Sequence, residues 1–289
     1  MPRDRLIGLL EACLVTFLWS SSYVLVKIGL TQLTPLTLVS LRYVVASVFL
    51  VPFALSRGEA PILADRKTIL KMVFLGLFGY TIAQGLQCVG LFYLPAVSVT
   101  FILNFTPVIV LILGVVFLKE YPTVLQLGGM GLVLLGAYLF FSAPLSGSSL
   151  LGVLITLISG IGWAIYLVSV RLLFVNEKLN PLGLTAFSMG LGTIALSLAA
   201  YYIEGLSDIS LTSWAIIVWL GVVNTALAFF LWNHALQRLE AFEISVLQNT
   251  MLVQIAILSW IFLGEQLTVM KVIPMALVFV GALIVQLRK

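Results

Sequence analysis

The chain has 289 residues and a net charge of +4; 62% of them are hydrophobic and only 9% are charged. A soluble domain carries about 25% charged residues, so this chain lacks the charge to cover a water-facing surface. The net charge is small and sits mostly in loops, with no cluster of Lys and Arg on a soluble face, which argues against nucleic-acid binding.

Apolar runs, each long enough to cross ~30 Å of hydrocarbon, recur from end to end. Ten spans are expected, at 6–30, 35–56, 69–93, 96–118, 123–143, 150–173, 181–203, 212–234, 242–263 and 267–287. Turn chemistry separates them: Thr34-Pro35, Arg57-Gly58-Glu59, Leu94-Pro95, Tyr121-Pro122, Ser146-Gly147-Ser148 and Asn180-Pro181. The loops are short, so consecutive helices should be antiparallel neighbours. The fold class is an all-α membrane protein of ten transmembrane helices.

Polar groups in hydrocarbon are costly and tend to face a bundle interior or a wet cavity. In the first span, Thr16, Ser20 and Tyr23 share a helical face beside Trp19. The run continues past Tyr23 to about Leu30, longer than a cleavable signal core, and reads as a retained helix. Cys13 and Cys88 fall inside apolar runs with no disulfide or metal spacing, as small packing residues. In the second span Arg42 lies about two turns deep, where it either attracts a substrate carboxylate or snorkels; Lys27, nearer an interface, reads as snorkelling. In the third, Tyr80, Gln84 and Gln87 form a stripe. In the fourth, Thr100 and Asn104 precede Pro107, which removes the hydrogen bond to the Leu103 carbonyl and should bend the helix.

In the sixth span Gly162, Tyr166 and Ser169 run beside Trp163. In the eighth, Asn224, Ala228 and Trp232 share a face; in the ninth, Ser245, Gln248, Asn249, Leu252 and Ala256 do. The Ser, Thr and Gly positions are as well explained by close helix approach. The amides need several partners each. Asn104 and Asn249 are either ligand groups or a clasp between the two halves of the chain. The aromatic residues either stack on a substrate or fill the core. Glu11, His234 and Glu243 lie near helix ends; if they meet, they make a proton-sensitive gate, and otherwise they are three separate interfacial residues.

With the N-terminus in the cytoplasm, twelve Lys and Arg fall on the cytoplasmic side, including Arg3, Arg5, Arg171, Lys178, Arg288 and Lys289. Lys27 and Lys271 alone fall opposite. This positive-inside bias puts both termini in the cytoplasm, which suits a plasma-membrane protein.

The sequence repeats itself at an offset of 145. Phe117-Leu118-Lys119-Glu120 aligns with Phe262-Leu263-Gly264-Glu265, Thr123-Val124 with Thr268-Val269, Gly136-Ala137 with Gly281-Ala282, and Asn104 with Asn249. Trp19 matches Trp163 and Lys27 matches Arg171 at 144. The halves are residues 1–145 and 146–289. Five helices is an odd number, so the second half enters from the opposite face. Inverted repeats of this kind point to a transporter with its site at the midplane between the halves.

These features resemble the drug/metabolite transporter superfamily, and within it the ten-helix EamA-like family, over nearly the whole chain. The resemblance rests on Leu18-Trp19-Ser20-Ser21-Ser22, on Pro35 with Arg42, on Pro107, and on the two helix-end signatures with the Thr that follows each. It implies alternating access and a cavity lined mainly by helices 1, 3, 4, 6, 8 and 9. It further implies an exporter of amino acids, aromatic ones included, or of similar neutral or zwitterionic metabolites. Leu252 stands where the first half has Pro107, so a proline bend need not be mirrored.

The expected binding residues are Trp19, Tyr23, Tyr80, Gln84, Gln87, Asn104, Trp163, Tyr166, Trp232, Gln248 and Asn249, with Arg42, Glu11, His234 and Glu243 as gate candidates. No cofactor, metal or nucleic acid is expected; the partners are a small solute and lipid, and a monomer suffices. The midplane lacks the paired cations a phosphorylated substrate would need. An intramembrane enzyme is disfavoured, since His234 is the only His and no midplane carboxylate pair exists. A carrier of another small metabolite or drug, or a lipid translocator, stands as the alternative.

Overall fold

The computed structural model describes residues 3–59, 65–140, 150–177, 179–205, 208–264 and 272–286. Within them lie ten helices: α1 Arg3–Gly29, α2 Pro35–Ser56, α3 Arg66–Tyr93, α4 Ala96–Leu118, α5 Val124–Phe140, α6 Leu150–Glu177, α7 Pro181–Glu204, α8 Leu211–Arg238, α9 Ala241–Leu263 and α10 Val272–Gln286. Eight are long and apolar enough to cross a membrane; α5 and α10 are shorter apolar helices. The protein is an all-α, ten-helix membrane protein. Lys178, Ser146-Gly147-Ser148, Glu265, Thr268-Val269, Lys271, Arg288 and Lys289 lie outside the described residues.

Helix starts follow local chemistry. Pro35 and Pro181 occupy the first helical turns of α2 and α7, where a missing N–H costs nothing. The orphan N–H groups of Leu36 and Thr37 are taken by the Glu204 carboxylate at 2.9 and 2.7 Å, so the end of α7 caps the start of α2. Glu59, after α2, accepts from Asn180 Nδ2 at the start of α7. Two helices end on left-handed residues, α4 on Lys119 (φ 57°) and α9 on Gly264 (φ 69°). The turn at Lys119 aims Glu120 at the start of α9, where it accepts from the Ala241 N–H and pairs with Arg171. That contact gives the Phe117-Leu118-Lys119-Glu120 signature a physical reason.

Several helices are irregular. Wide π turns occupy Gly76–Gly85 in α3, Gly114–Leu118 in α4 and Val222–Leu227 in α8. α4 breaks at Asn104-Phe105 and α9 at Asn249-Thr250. Pro107 lies in the first turn after the α4 break. α9 has Leu252 there and breaks all the same, so proline is not what the bend requires.

The packing forms two cores. The larger gathers α1, α2, α3, α6, α7 and α8 around Trp19, Tyr43, Tyr80, Tyr166, Phe229 and Trp232. The smaller joins α5, α10 and α9 through Met130, Val133, Val246, Leu252 and Val278. α2 packs along α7, α5 along α10, and α3 between α6 and α7. The α3–α7 contact is close enough that Gly76 and Gly192 touch through their backbones. A Cβ on Gly76 would lie 2.6 Å from the Ser188 carbonyl oxygen and 2.7 Å from the Gly192 nitrogen. Around Gly128 there is open space.

The contrast predicts opposite stability changes. Gly76→Val should lower the melting temperature of the purified protein, at a cost of about 1–3 kcal/mol or more, because backbone cannot yield as side chains do. Gly128→Ala should leave it unchanged or raise it, by up to ~1 kcal/mol of helix propensity. A thermal melt of both variants in one detergent checks the pair.

Candidate functional site

The two helix breaks meet. Interrupting a helix inside a bilayer exposes backbone groups that lipid cannot satisfy, so such breaks survive only inside protein or against a wet cavity. Here the carbonyl of Asn104 accepts from Asn249 Nδ2 at 3.0 Å, tying one break to the other. The bond is not returned: the buried Asn104 Nδ2 has no partner among the described residues. Of the two readings of this pair, the clasp describes Asn249, whereas Asn104 keeps a free donor beside a cavity.

That cavity has a free volume of about 30 Å³. Its walls are Tyr23 from α1, Gln84 and Gln87 from α3, Thr100 and Asn104 from α4, Ser159 and Trp163 from α6, and Ser245, Gln248 and Asn249 from α9. The space is narrow, with room for water-sized molecules. Its groups are amides, hydroxyls and aromatic rings; no ionisable group other than Tyr23 lines it. Trp163 Nε1 donates to Gln248 Oε1 at 2.8 Å, and Gln87 Nε2 donates to the Tyr23 hydroxyl at 2.8 Å.

A second cavity of about 20 Å³ shares Tyr23, Gln84 and Gln87 with the first. It extends toward the face where α1 ends and α2 begins, and Arg42 and Cys88 line it. The Tyr23–Gln87 hydrogen bond joins two residues common to both cavities, so it stands at their junction.

On the opposite side lies an aromatic plug. Trp19 sits 4.7 Å from Trp232, 5.1 Å from Phe229 and 5.7 Å from Trp163, centroid to centroid. Trp163 stacks on Tyr166 at 5.1 Å. Tyr80 shares a 2.9 Å hydroxyl–hydroxyl hydrogen bond with Tyr166, whose hydroxyl also accepts from Asn233. Trp19, Tyr80, Tyr166 and Trp232 therefore lie in this plug and not in the cavity wall. Tyr23, Gln84, Gln87, Asn104, Trp163, Gln248 and Asn249 are brought together in the wall. Helix α8, expected to line the cavity, contributes to the plug instead; its Asn224 donates to the Leu18 carbonyl and to Ser21 on α1.

The gate candidates divide. His234 Nδ1 lies 2.7 and 2.9 Å from the Glu11 carboxylate oxygens, so α1 and α8 are linked there. Arg238 extends that pair, 3.9 Å from Glu11. Glu243 does not join them; fully buried, it holds Arg5 through two 3.0 Å bonds and accepts from Gln126. Of the three, two therefore meet and the third stands apart. Arg42 does not snorkel: it is 6% exposed and reaches α8. Lys27 bonds the Leu91 and Leu94 carbonyls at the end of α3.

Residues beyond those read from the sequence complete the arrangement. Gln254 bridges α9 to α1 through Ser20 and Thr16. It falls off the stripe containing Gln248 and Asn249, since five or six residues along a helix lead to another face. Ser159 donates to the Ala83 carbonyl within the widened part of α3. Asn233, next to Trp232 but on another face, bonds Tyr166 and Thr185.

Known proteins resemble this chain throughout. The model of the EamA-like transporter family matches it twice, over residues 6–142 and 150–287. A transporter of Archaeoglobus fulgidus is 29% identical over 277 residues, 95% of this chain and 96% of that protein. A "Probable amino-acid metabolite efflux pump" of Salmonella typhimurium is 26% identical over 284 residues, covering 93% of this chain and 91% of its own. A solved crystal structure superposes with a TM-score of 0.78 at 18% identity, over 96% of this chain and 97% of that one; at that identity the likeness concerns the fold.

The asymmetry of the Asn pair makes a sharp prediction. Asn249→Ala leaves the Asn104 carbonyl unpaired at a helix break and should destabilise by about 1–3 kcal/mol. Asn104→Ala removes an amide donor that has no partner and should cost about 1 kcal/mol or less, while altering whatever the cavity binds. Thermal melts of the two variants separate these outcomes; equal losses would contradict the assignment.

Proposed function

The chain belongs to the EamA-like transporter family, and from that premise we propose an alternating-access carrier that exports small neutral or zwitterionic metabolites, amino acids including aromatic ones. The carrying observation is the central cavity, walled by amides, hydroxyls and Trp163 from helices of both halves of the chain and free of carboxylates. An uncharged polar lining favours solutes of no net charge, because an unpaired net charge in low dielectric is costly. The two efflux-pump relatives, from Salmonella typhimurium and Escherichia coli, lend the amino-acid reading its support. Their family is one of transporters, which favours a carrier over an enzyme.

The halves, residues 1–145 and 146–289, are inverted repeats in this reading. Like features recur 145 residues apart: the breaks at Asn104 and Asn249, the left-handed helix ends at Lys119 and Gly264, and the carboxylates Glu59 and Glu204, each bonded at the start of a helix in the other half. Lys27 donates to the Leu91 carbonyl, and Arg171 to that of Leu236. Two separate matches to the family model, one in each half, agree with this.

Transport proceeds by rocking of the halves about the central cavity. In the conformation described, the aromatic plug separates the cavity from the face where the N-terminus lies. The Tyr23–Gln87 hydrogen bond narrows it toward the other. A solute shifts the balance only by binding one state better than another, and Asn104 Nδ2, with Gln84 and Gln87, supplies the donors and acceptors for that difference. In this reading both termini face the cytoplasm of a plasma membrane, and the Lys and Arg bias of the loops supports that orientation.

Purified protein in liposomes, loaded with unlabelled amino acids and challenged with labelled ones, should show counterflow of at least one neutral amino acid. Gln84→Ala and Gln87→Ala should slow it about tenfold, the effect of ~1.4 kcal/mol. No counterflow of any tested amino acid sinks the substrate assignment. A reporter that fluoresces only in the cytoplasm, fused after Lys289, should fluoresce; a dark fusion with normal expression reverses the orientation.

A further inference from the structure

Arg42 is the buried charge that the central cavity does not explain. It sits two turns into α2, 6% exposed, at the wall of the second cavity. Among the described residues it pairs with no carboxylate. Its contacts are neutral: Nε donates to Thr225 Oγ1, Nη2 donates to the Asn224 carbonyl at 3.0 Å, and the guanidinium lies 5.7 Å from the Tyr43 ring centroid. A guanidinium has five N–H donors in a fixed fork. Two of them hold the widened turn of α8, and three are without partners among the described residues. Those three belong to Nη1 and the adjoining edge of Nη2. That edge is the end-on fork, whose spacing matches the two oxygens of a carboxylate.

The cavity around it gives the fork something to bind. Besides Arg42 its polar lining is Ser22, Tyr23, Gln84, Gln87 and Cys88, with no acidic group. Lys27, the nearest other cation in sequence on α1, is engaged with the carbonyls at the end of α3. One unopposed guanidinium in a membrane interior matches one negative charge. A phosphate monoester, carrying close to two charges, would leave part of its charge unmatched; an amine would be repelled. The second cavity also adjoins the first through Tyr23, Gln84 and Gln87, so one solute can reach both once the Tyr23–Gln87 bond opens.

We propose that Arg42 is the carboxylate-recognition site of this carrier, holding the acid group of the solute by its end-on fork while the remainder lies toward Gln84, Gln87 and Asn104. This rests on the carrier reading above and changes it in one respect: with Arg42 to match it, one carboxylate charge on the solute is accepted, so the solutes are zwitterionic amino acids and other monocarboxylates, and not amines or carboxamides. The recognition is by charge and fork geometry, so acids lacking the amino group should bind too.

The test compares L-alanine, L-leucine and L-phenylalanine with their carboxamides, and 3-phenylpropionate with phenethylamine, by ligand-induced shifts of the melting temperature. The wild-type protein should respond to at least one amino acid, and to 3-phenylpropionate, at concentrations at least tenfold lower than to the matched carboxamide or amine. Arg42→Gln should abolish that preference, and Arg42→Lys, which keeps the charge without the fork, should retain part of it. Equal responses to acids and carboxamides, no response to any acid, or wild-type affinity in Arg42→Gln would each overturn the proposal. If Arg42→Gln does not fold, the wild-type comparison and Arg42→Lys decide. Acid-selective binding without counterflow would count against the carrier reading alone; amino-acid counterflow unchanged in Arg42→Gln would count against the Arg42 site alone.

Discussion

A helix that stops in hydrocarbon must find partners for the backbone it exposes. In this protein two helices stop at the same depth, and the bond from Asn249 Nδ2 to the Asn104 carbonyl satisfies one by means of the other. The rest of the site is arranged around that constraint. The breaks turn the polar stripes of α4 and α9 toward each other, draw the amides of α3 and the indole of Trp163 into the same wall, and leave Asn104 with a donor to spare. The widened turns of α3 and α8 serve the same economy. Side chains of neighbouring helices bond into them, Ser159 to the Ala83 carbonyl and Arg42 to that of Asn224.

Charge is confined to where it can be matched. Toward the face where α1 begins, Arg5 holds Glu243, Arg171 holds Glu120 and Glu11 holds His234. Each pair joins helices that are distant in sequence, so the pairs fix the helix ends while the middle of the bundle stays uncharged. Glu204 and Glu120 reach helix starts, where the partial positive charge of the peptide dipoles favours them. Arg42 departs from this pattern, holding neutral acceptors and turning its remaining donors to a cavity.

The aromatic plug and the Tyr23–Gln87 bond are contacts of different kinds. The plug is a packed set of large rings with their own hydrogen-bonded core at Tyr80, Tyr166 and Asn233. The Tyr23–Gln87 contact is one hydrogen bond between two side chains, worth on the order of 1 kcal/mol, and it separates the two cavities; beyond it the second cavity is closed by the buried Val26, Leu38, Val39 and Leu91.

Much of this was legible in the residues. Composition and run length determined a ten-helix membrane bundle, because hydrocarbon thickness sets helix length directly. The offset of 145 marked Asn104 and Asn249 as equivalent, since amides rarely coincide by chance in apolar sequence. What helical spacing could not tell was which polar stripe meets which. Trp19, Tyr80, Tyr166 and Trp232 read as cavity residues because a helical wheel does not distinguish a wet wall from a packed one. Gln254 was lost because it lies on a different face of α9 from Gln248 and Asn249, one that meets Ser20 and Thr16 of α1. A break without proline is not written in α9, whose Leu252 gives no sign of it. Only the tertiary structure decided that Glu11 meets His234 while Glu243 meets Arg5, and that Arg42 turns inward: sequence places a charge along a helix, but which neighbour it faces depends on how the helices are rotated and packed.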